Sequence, residues 1–462
     1  MRMRVLGVVL SLTIPSAAIA ASAHLPRPES MEHQIRFWRS IFAEYSRYQV
    51  VVHDTIDLGR IYSVIDFSDL AARGASPIEL DRVLKEETEL EVARIRALLR
   101  RMHEGVSPAA LDPAERKIFD LVTTRDPRPD RFLIAADETR LRTQRGIRER
   151  FEEGYRRARR YFPEMERIFR EEGVPVELTR LPLIESCFNI HAYSKVGAAG
   201  AWQFMPETGR LFMQVNDLVD ERRDLITSTR AAARFLADNY RRLGTWPLAV
   251  TAYNHGPGGM ARAVRELGTR DIATIVHYYQ GPAFGFASRN FYAELLAALD
   301  VDRDHEKYFG PVPDGPLPAV AAHVLSEPVD FAVAARLAGV DRSTLAELNP
   351  ALLQPVVSGR SAIPRGYRLR LPERVAAVFD DRLAEYVAER RVTRVAAPAP
   401  ATRPSRPGRL GGPVVHRVKR GQTLTGIAQQ HGVSVNALRI ANRLGPRETP
   451  KAGQVLRIPR PG

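Results

Sequence analysis

The chain has 462 residues and a single cysteine, Cys187. One cysteine cannot form a disulfide within the chain, so the fold has to be stabilised by packing alone. Small secreted domains held together by disulfides are therefore excluded. His191 lies near Cys187 in sequence, but no peptidase-like context surrounds the pair. A buried structural cysteine is the favoured interpretation over a nucleophile.

Long apolar runs are also scarce, and none inside the chain approaches the roughly 20 residues that span a bilayer. Val5 to Ile14 is an apolar run that follows Arg2 and Arg4 and precedes Ala18-Ile19-Ala20. This pattern predicts a signal peptide over residues 1–20 and hence an exported, periplasmic protein. An uncleaved anchor is disfavoured because the run is short. No cysteine lies near the predicted cleavage site, so a lipidated cysteine is not expected.

Acidic residues are nearly absent from the C-terminal part of the chain. Residues 390–420 contain nine Lys or Arg and no acid, and residues 421–462 contain six against Glu448 alone. These residues carry the whole net charge of +14, so residues 1–389 are neutral overall. A basic exported tail suits an anionic polymer or a membrane surface, and nucleic acid is not expected as a partner. A solubilising, solvated linker is the alternative interpretation.

The remaining composition, 44% apolar and 26% charged, is that of a globular protein with real cores. Hydrophobic periodicity predicts a mainly α-helical protein. Residues 24–150 are expected to form a mostly helical accessory region with short strands at Val50–Val52 and Ile61–Phe67. Residues 151–310 are expected to form a strongly helical domain. A basic, Pro-rich linker is predicted over residues 390–413.

A weak internal repeat covers residues 319–372 and 414–462, and each copy predicts two helices, a Gly-containing loop and a strand that ends in Pro. The second copy opens with Val-x-x-Gly-x-Thr-Leu and closes with Gly-Gln-x-Leu-x-Ile-Pro. It resembles the LysM module, a small α+β (βααβ) fold that binds glycans containing N-acetylglucosamine. The first copy lacks the Gly-x-Thr opening and is interpreted as a degenerate LysM-like domain.

One carboxyl group stands in an apolar segment, Leu-Pro-Leu-Ile-Glu-Ser-Cys-Phe, which covers residues 181–188. On a helix, Leu181 and Phe188 flank Glu185 at positions i−4 and i+3. Desolvation by such neighbours should raise the pKa of Glu185, as a general acid at neutral pH requires. Taken alone, the fragment also fits an ordinary exposed glutamate on a helix.

Two further motifs contain residue types that suit a bound saccharide. The first, residues 194–206, is rich in glycine, and small residues let a sugar chain approach the backbone closely. In it Gln203 can hydrogen-bond N-acetyl or hydroxyl groups, and Trp202 or Met205 can supply an apolar wall. The second motif sets Tyr253-Asn254 before a Gly-Pro-Gly-Gly turn. A helix connection with core residues and a surface turn are the alternatives.

In this order, over residues 176–259, the three motifs resemble the lytic transglycosylase domain with its goose-type lysozyme-like (SLT) fold. With the signal peptide and the C-terminal LysM module, the arrangement is similar to that of membrane-bound lytic murein transglycosylases of the D type. The resemblance implies that Glu185 is the catalytic acid and base. It also implies a set of substrate-binding residues: Ser194, Gln203, Met205, Tyr253 and Asn254.

The implied activity is that of a carbon–oxygen lyase that cleaves peptidoglycan glycan strands at the MurNAc–GlcNAc β-1,4 bond and leaves 1,6-anhydro-MurNAc ends. Ordinary glycosidases use two carboxyl groups, and no second one accompanies Glu185 inside the motifs. The C6 hydroxyl of the substrate then serves as the nucleophile. No cofactor and no metal are expected, because Asp300, Asp302 and Asp304 lack the glycine and distal glutamate of an EF-hand and fit a solvated turn better.

Two alternatives remain open, a hydrolytic muramidase on the same fold and a non-catalytic peptidoglycan-binding scaffold. In each case the LysM module and the basic linker imply peripheral association with the cell envelope.

Overall fold

The computed structural model describes residues 24–315, 317, 319–396, 415–419, 421–445 and 448–459. The predicted signal peptide and residues 397–413 of the predicted linker lie outside them. The chain divides into two compact units, Met1–Leu383 and Ala384–Gly462. Residues 390–396 continue a helix, so the prediction that the linker starts at residue 390 is wrong for these residues.

The first unit is mainly helical with small antiparallel sheets, which confirms the predicted mainly α-helical fold class. The helices that begin in this unit are α1 (Glu32–Ala43), α2 (Ser68–Ala72), α3 (Pro77–His103), α4 (Pro113–Arg125), α5 (Arg131–Ala135), α6 (Arg148–Arg159), α7 (Phe162–Glu171), α8 (Leu181–Ser186), α9 (Pro206–Gly209), α10 (Leu225–Leu243), α11 (Trp246–His255), α12 (Pro257–Leu267), α13 (Ile272–Tyr278), α14 (Phe286–Arg303), α15 (His305–Phe309), α16 (Phe331–Ala338), α17 (Arg342–Leu348), α18 (Gln354–Val357) and α19 (Glu373–Ala396).

A three-stranded antiparallel sheet lies among the helices of residues 24–150. Its central strand β1 (Gln49–Asp54) pairs with β2 (Ile61–Asp66) and with β3 (Leu141–Arg145). The first two strands were predicted from their β-branched residues. The third was missed because Leu141 is the only apolar residue of its five-residue sequence, Leu-Arg-Thr-Gln-Arg.

Hydrophobic packing joins α1 to the helices of residues 151–310. Helix α1 packs on α14, and the rings of Phe42 and Phe151 stack with their centroids 4.8 Å apart. Nearby, Arg27 donates to Asp300 at 2.9 Å, and Asp300 is only 3% exposed. The prediction of a solvated turn around Asp300 is therefore wrong, because this part of the chain is the buried end of α14. A separate core forms around Val52 and Leu99.

Capping side chains determine where the long helices begin and end. The N-cap of α10 is Asp224, whose carboxylate accepts the Thr227 N–H at 2.8 Å. Helix α10 ends at Gly244, where a φ of 82° suits glycine. The apolar residues from Tyr155 to Phe169 recur every three or four positions, which is the pattern of one helix, but the structure has two helices here, α6 and α7.

The internal repeat is visible as two small modules. In the first, β4 (Val320–Val324) pairs with β5 (Arg368–Pro372) around helices α16 to α18. The second lies in the second unit and has the predicted βααβ order. Its elements are β6 (Val415–Arg417), α20 (Leu424–Gln430), α21 (Val435–Asn442) and β7 (Val455–Arg457).

An asparagine fixes the last strand of each module in the same way. In the first module, the Asn349 amide donates to the Arg370 carbonyl at 2.9 Å and accepts the Arg370 N–H at 2.8 Å. In the second, Asn442 makes the same two bonds to Arg457, at 2.7 Å and 2.6 Å. These matching bonds give the repeat a structural basis.

Among the residues that the structure describes, no helix combines the length and the apolar composition needed to cross a lipid bilayer.

A tight contact joins α6 to the end of α8. A Cβ built at Gly154 would lie 2.2 Å from the carbonyl oxygen of Cys187. We expect Gly154→Ala to lower the free energy of unfolding by about 1–3 kcal/mol through overpacking, although alanine is the better helix former. Chemical denaturation followed by circular dichroism measures this change.

Gly258→Ala is the matched control, because a Cβ at Gly258 meets nothing within 4 Å. A Gly154→Ala protein as stable as this control would show that the contact does not constrain the end of α8.

Candidate active site

Helix α8 places Glu185 in its last turn and then reverses direction through a strained backbone. Cys187 and Phe188 have φ values of 50° and 52°, which are left-handed conformations that side chains with a Cβ disfavour. Each costs about 1–3 kcal/mol and persists only where the surroundings impose it. Of the four such non-glycine residues in the described parts of the chain, three lie at the predicted motifs, the third being Gln203.

Hydrogen bonds hold this reversal against its neighbours. The Ser186 hydroxyl donates to the Ala201 carbonyl at 2.9 Å, which ties α8 to the second motif. The Arg157 guanidinium on α6 donates to the Cys187 carbonyl at 3.1 Å. Cys187 is buried and unpaired, as the structural interpretation expected. Glu185 is thus held between α6 and the glycine-rich motif.

The Glu185 carboxyl group titrates far from its usual range. Burial raises its pKa from 4.5 to about 8, in the direction predicted from its apolar neighbours Leu181 and Phe188. The residue nevertheless keeps part of its surface exposed. Glu185 is therefore largely protonated at neutral pH and still accessible to a bound molecule.

A phenol lies beside this carboxyl group. The Tyr253 hydroxyl on α11 donates to the Trp202 carbonyl at 2.8 Å. Burial, and then the negative charge of Glu185, raise the pKa of Tyr253 well above 10. Tyr253 is consequently a neutral hydrogen-bonding group, and it links the third motif to the other two.

A second carboxyl group, Glu294 on α14, was missed by the sequence motifs. Burial, and then the negative charge of Glu185, raise the pKa of Glu294 as well. Two nearby carboxyl groups in a desolvated place do not both ionise readily. The sequence contained a signal for it, since Glu294 is a lone carboxyl group in the apolar run Phe-Tyr-Ala-Glu-Leu-Leu, just as Glu185 is in its own segment.

The second motif forms a compact loop, residues 193–204, here called the motif loop. Isolated β-bridges join Ala199 to Tyr193 and to Phe204. The Ser194 hydroxyl accepts the Ala198 N–H at 2.8 Å, so it stabilises the turn of the loop. The Gln203 amide donates to the Gly200 carbonyl at 2.8 Å.

The two candidates for an apolar wall differ in exposure. Trp202 is fully buried and donates to the Thr229 hydroxyl at 2.9 Å, so it is a core residue. Met205 follows the motif loop and is 38% exposed, which makes it the residue available to a ligand.

Asn254, next to Tyr253, is exposed, and its amide oxygen accepts the hydroxyl of Ser288 on α14 at 2.8 Å. Ser288 carries no motif signature and was not predicted.

Together these contacts place Glu185, Tyr253 and Glu294 within electrostatic reach of one another, with the motif loop attached through Ser186 and Tyr253. A protonated carboxyl group in such a setting can donate a proton and take one back. In the described ranges between residues 24 and 459, no group of three or more His, Cys, Asp or Glu side chains could hold a metal ion.

Replacing Glu185 by glutamine should stabilise the fold in a pH-dependent manner. A carboxyl group whose pKa rises on folding weakens the folded state as pH climbs from the unfolded to the folded pKa. We therefore expect Glu185→Gln and the wild type to melt alike near pH 4. The Tm of the variant should exceed that of the wild type increasingly between about pH 4.5 and about 8.

Thermal melting across this pH range checks the expectation, with Glu177→Gln as control because Glu177 is a partly exposed glutamate in the turn before α8. A constant Tm difference over the range would mean that Glu185 is not desolvated.

Comparison with known families identifies three domains in the chain. Residues 165–276 match the transglycosylase SLT domain, residues 416–459 match the LysM domain, and residues 319–388 match the LysM-like domain of lytic transglycosylase MltD. The domain set agrees with the predicted resemblance to D-type lytic transglycosylases. The first module, predicted to be degenerate, thus matches a LysM-like family of its own.

Two curated relatives are similar over much of the chain. The proteins named membrane-bound lytic murein transglycosylase D from Escherichia coli K12 and from Escherichia coli O6:H1 are each 30% identical to it over 293 residues. The match covers 63% of this chain and 61% of each relative, which is less than two thirds of their length.

Proposed function

We propose that this chain, with its transglycosylase SLT domain and two LysM-type modules, is a peptidoglycan lytic transglycosylase that acts in cell-wall remodelling. It would cleave the MurNAc–GlcNAc β-1,4 bond and leave 1,6-anhydro-MurNAc ends. The observation that carries the proposal is Glu185, a carboxyl group with a pKa of about 8 that lies beside Tyr253 of the third motif and next to Ser186, whose hydroxyl bonds the second motif.

The proposed reaction uses one proton twice. Glu185 donates it to the glycosidic oxygen, and the bond from that oxygen to C1 of MurNAc breaks. The neighbouring N-acetyl group stabilises the positive charge that builds on C1. The C6 hydroxyl of the same sugar then attacks C1 and returns its proton to Glu185. The raised pKa suits both steps, because it lies near neutral pH. No cofactor and no metal takes part.

We propose that the substrate is held by residues of the second and third motifs. Gln203 and Asn254 carry amides suited to N-acetyl and hydroxyl groups, and the Tyr253 phenol lies beside Glu185. Met205 is exposed enough to contact a sugar face. Ser194 would contribute through the shape of the motif loop, since its hydroxyl accepts a bond inside it.

A hydrolytic muramidase is the second candidate, and Glu294 is the observation that favours it. Enzymes that use water at C1 employ a second carboxyl group as base or nucleophile. Glu294 lies near enough for Glu185 to raise its pKa. In the lytic mechanism, Glu294 instead helps to keep one proton on the pair at neutral pH.

The rest of the chain would deliver the enzyme to its substrate. We propose residues 151–310 as the catalytic domain, residues 319–372 and 414–462 as LysM-type modules and residues 24–150 as an accessory region. The protein would be exported to the periplasm and associate with the envelope through the second module and the basic linker. A non-catalytic wall-binding scaffold is the remaining alternative.

Product analysis separates these functions. We expect wild-type protein incubated with purified sacculi to release muropeptides that end in anhydro-MurNAc, which are lighter by one water than reducing ends, as mass spectrometry detects. Glu185→Gln should lose at least about 100-fold in rate, the usual contribution of a general acid, while retaining the fold.

Glu294→Gln is the companion variant, and it should keep the anhydro product. Release of reducing-end muropeptides alone would reject the lytic mechanism in favour of the muramidase. Equal product from wild type and Glu185→Gln would reject Glu185 as the acid.

The second module should act in retention and not in chemistry. Deleting residues 414–462 should leave the rate on short soluble glycan strands unchanged and reduce the fraction of protein that pellets with insoluble sacculi. The deletion keeps the basic residues of the linker up to residue 413, so a loss of pelleting would not be due to a loss of the linker's charge. Undiminished pelleting would contradict this role.

A further inference from the structure

A loop of the catalytic domain, residues 218–224 and here called the anchor loop, bonds the first module at both of its ends. Its residue Val219 forms an isolated antiparallel bridge with Leu352 of the module. On either side, the Asp220 N–H donates to the Ala351 carbonyl at 2.8 Å, and the Leu353 N–H donates to the Leu218 carbonyl at 3.0 Å. One end of the anchor loop is therefore paired with the module as a short piece of sheet.

A partly buried ion pair holds the other end of the anchor loop. Arg370 on β5 donates to the carboxylate of Asp224 at 2.7 Å and contacts its second oxygen as well. The Asp224 side chain is 7% exposed and the Arg370 side chain 22%. A bidentate ion pair with so little solvent exposure constrains the relative position of its two side chains far more than a surface ion pair does.

Between these two attachment points, the anchor loop is hydrogen-bonded to the motif loop. Arg222 is 3% exposed and donates to the Gly197 carbonyl at 2.7 Å and to the Phe204 carbonyl at 2.9 Å. Asp220 orients this guanidinium through bonds of 2.8 Å and 2.7 Å. A Cβ at Gly200 would lie 1.9 Å from the Arg222 carbonyl oxygen, so the two loops touch along their backbones as well.

Asp220 joins the two sets of contacts. Its backbone N–H is bonded to the module, and its side chain orients Arg222, which in turn bonds the motif loop at Gly197 and at its last residue, Phe204. From these contacts we infer that Arg370 is a positioning residue for the reaction: through Asp224 and the anchor loop, the first module holds the motif loop in the shape that binds substrate.

The repeat itself supplies an internal comparison. In the second module, Arg457 occupies the position that Arg370 has in the first. The equivalent asparagine, Asn442, is bonded to its backbone, and the Arg457 side chain is exposed. The fold of these modules therefore does not require the arginine to be paired. The pairing in the first module reflects its attachment to the catalytic domain, which makes this module part of the enzyme's scaffold.

The inference rests on the proposed function for its kinetic consequence only. Arg370→Ala should raise KM for soluble glycan strands by about 2- to 30-fold, the range for residues that act on a site without touching its ligand. The kcat should change little, because Glu185 stays on α8. Arg370→Lys, which keeps one charged donor, should recover part of the loss. Arg365→Ala, at an exposed arginine of the same module, is the matched control.

Hydrogen exchange tests the coupling without any assay of activity. In Arg370→Ala, amide exchange over residues 194–204 should accelerate, and in Arg365→Ala it should not. Asp224→Asn provides a second route, since asparagine keeps the acceptor that caps α10 and removes the charge that Arg370 binds. It should accelerate exchange in the same residues, and the double variant should be no worse than Arg370→Ala alone.

Unchanged exchange over residues 194–204 in both single variants would overturn the inference, even if residues 320–372 exchanged faster. A wild type that is inactive on glycans would overturn the proposed function and leave the exchange result to decide the coupling.

Discussion

The reversal of the chain after α8 is the constraint on which the site depends. Two successive left-handed residues, Cys187 and Phe188, cost together about 2–6 kcal/mol. Full burial of the Phe188 ring offsets about 1.5–3 kcal/mol of this. The bond from Ser186 to the motif loop contributes further. The strain is tolerated because packing imposes it, and the result is a carboxyl group held at a helix end between the motif loop and α11.

Desolvation of that carboxyl group suits the proposed acid–base chemistry and also weakens the fold. An ionised Glu185 would lie beside Glu294 and the Tyr253 phenol, and neither of these neighbours is a cation. The pair therefore keeps a proton that an exposed glutamate would lose near pH 4.5. Such an arrangement is retained where function requires it, because it lowers stability at neutral pH.

The two modules show one small fold in two settings. Each bonds its last strand to an asparagine, Asn349 or Asn442, so the backbone of the strand is fixed alike in both. The arginine side chain on that strand differs in its surroundings, with Arg370 in a partly buried ion pair and Arg457 exposed. The same local fold therefore forms in both settings, whereas the contacts of its surface arginine depend on which domain lies beside the module.

Local patterns in the sequence determined the fold class, most helices and the βααβ order of the second module, because each of these depends on residues within a few turns of one another. The apolar neighbours of Glu185 indicated the direction of its pKa shift, but burial in the folded chain produces that shift. Only the tertiary structure decided what distant segments do together. Glu294 lies 109 residues from Glu185 in the chain yet shares its charge environment, and Trp202 faces the core instead of a ligand. The physical reason is that burial and electrostatics depend on spatial neighbours, which periodicity along one segment does not specify.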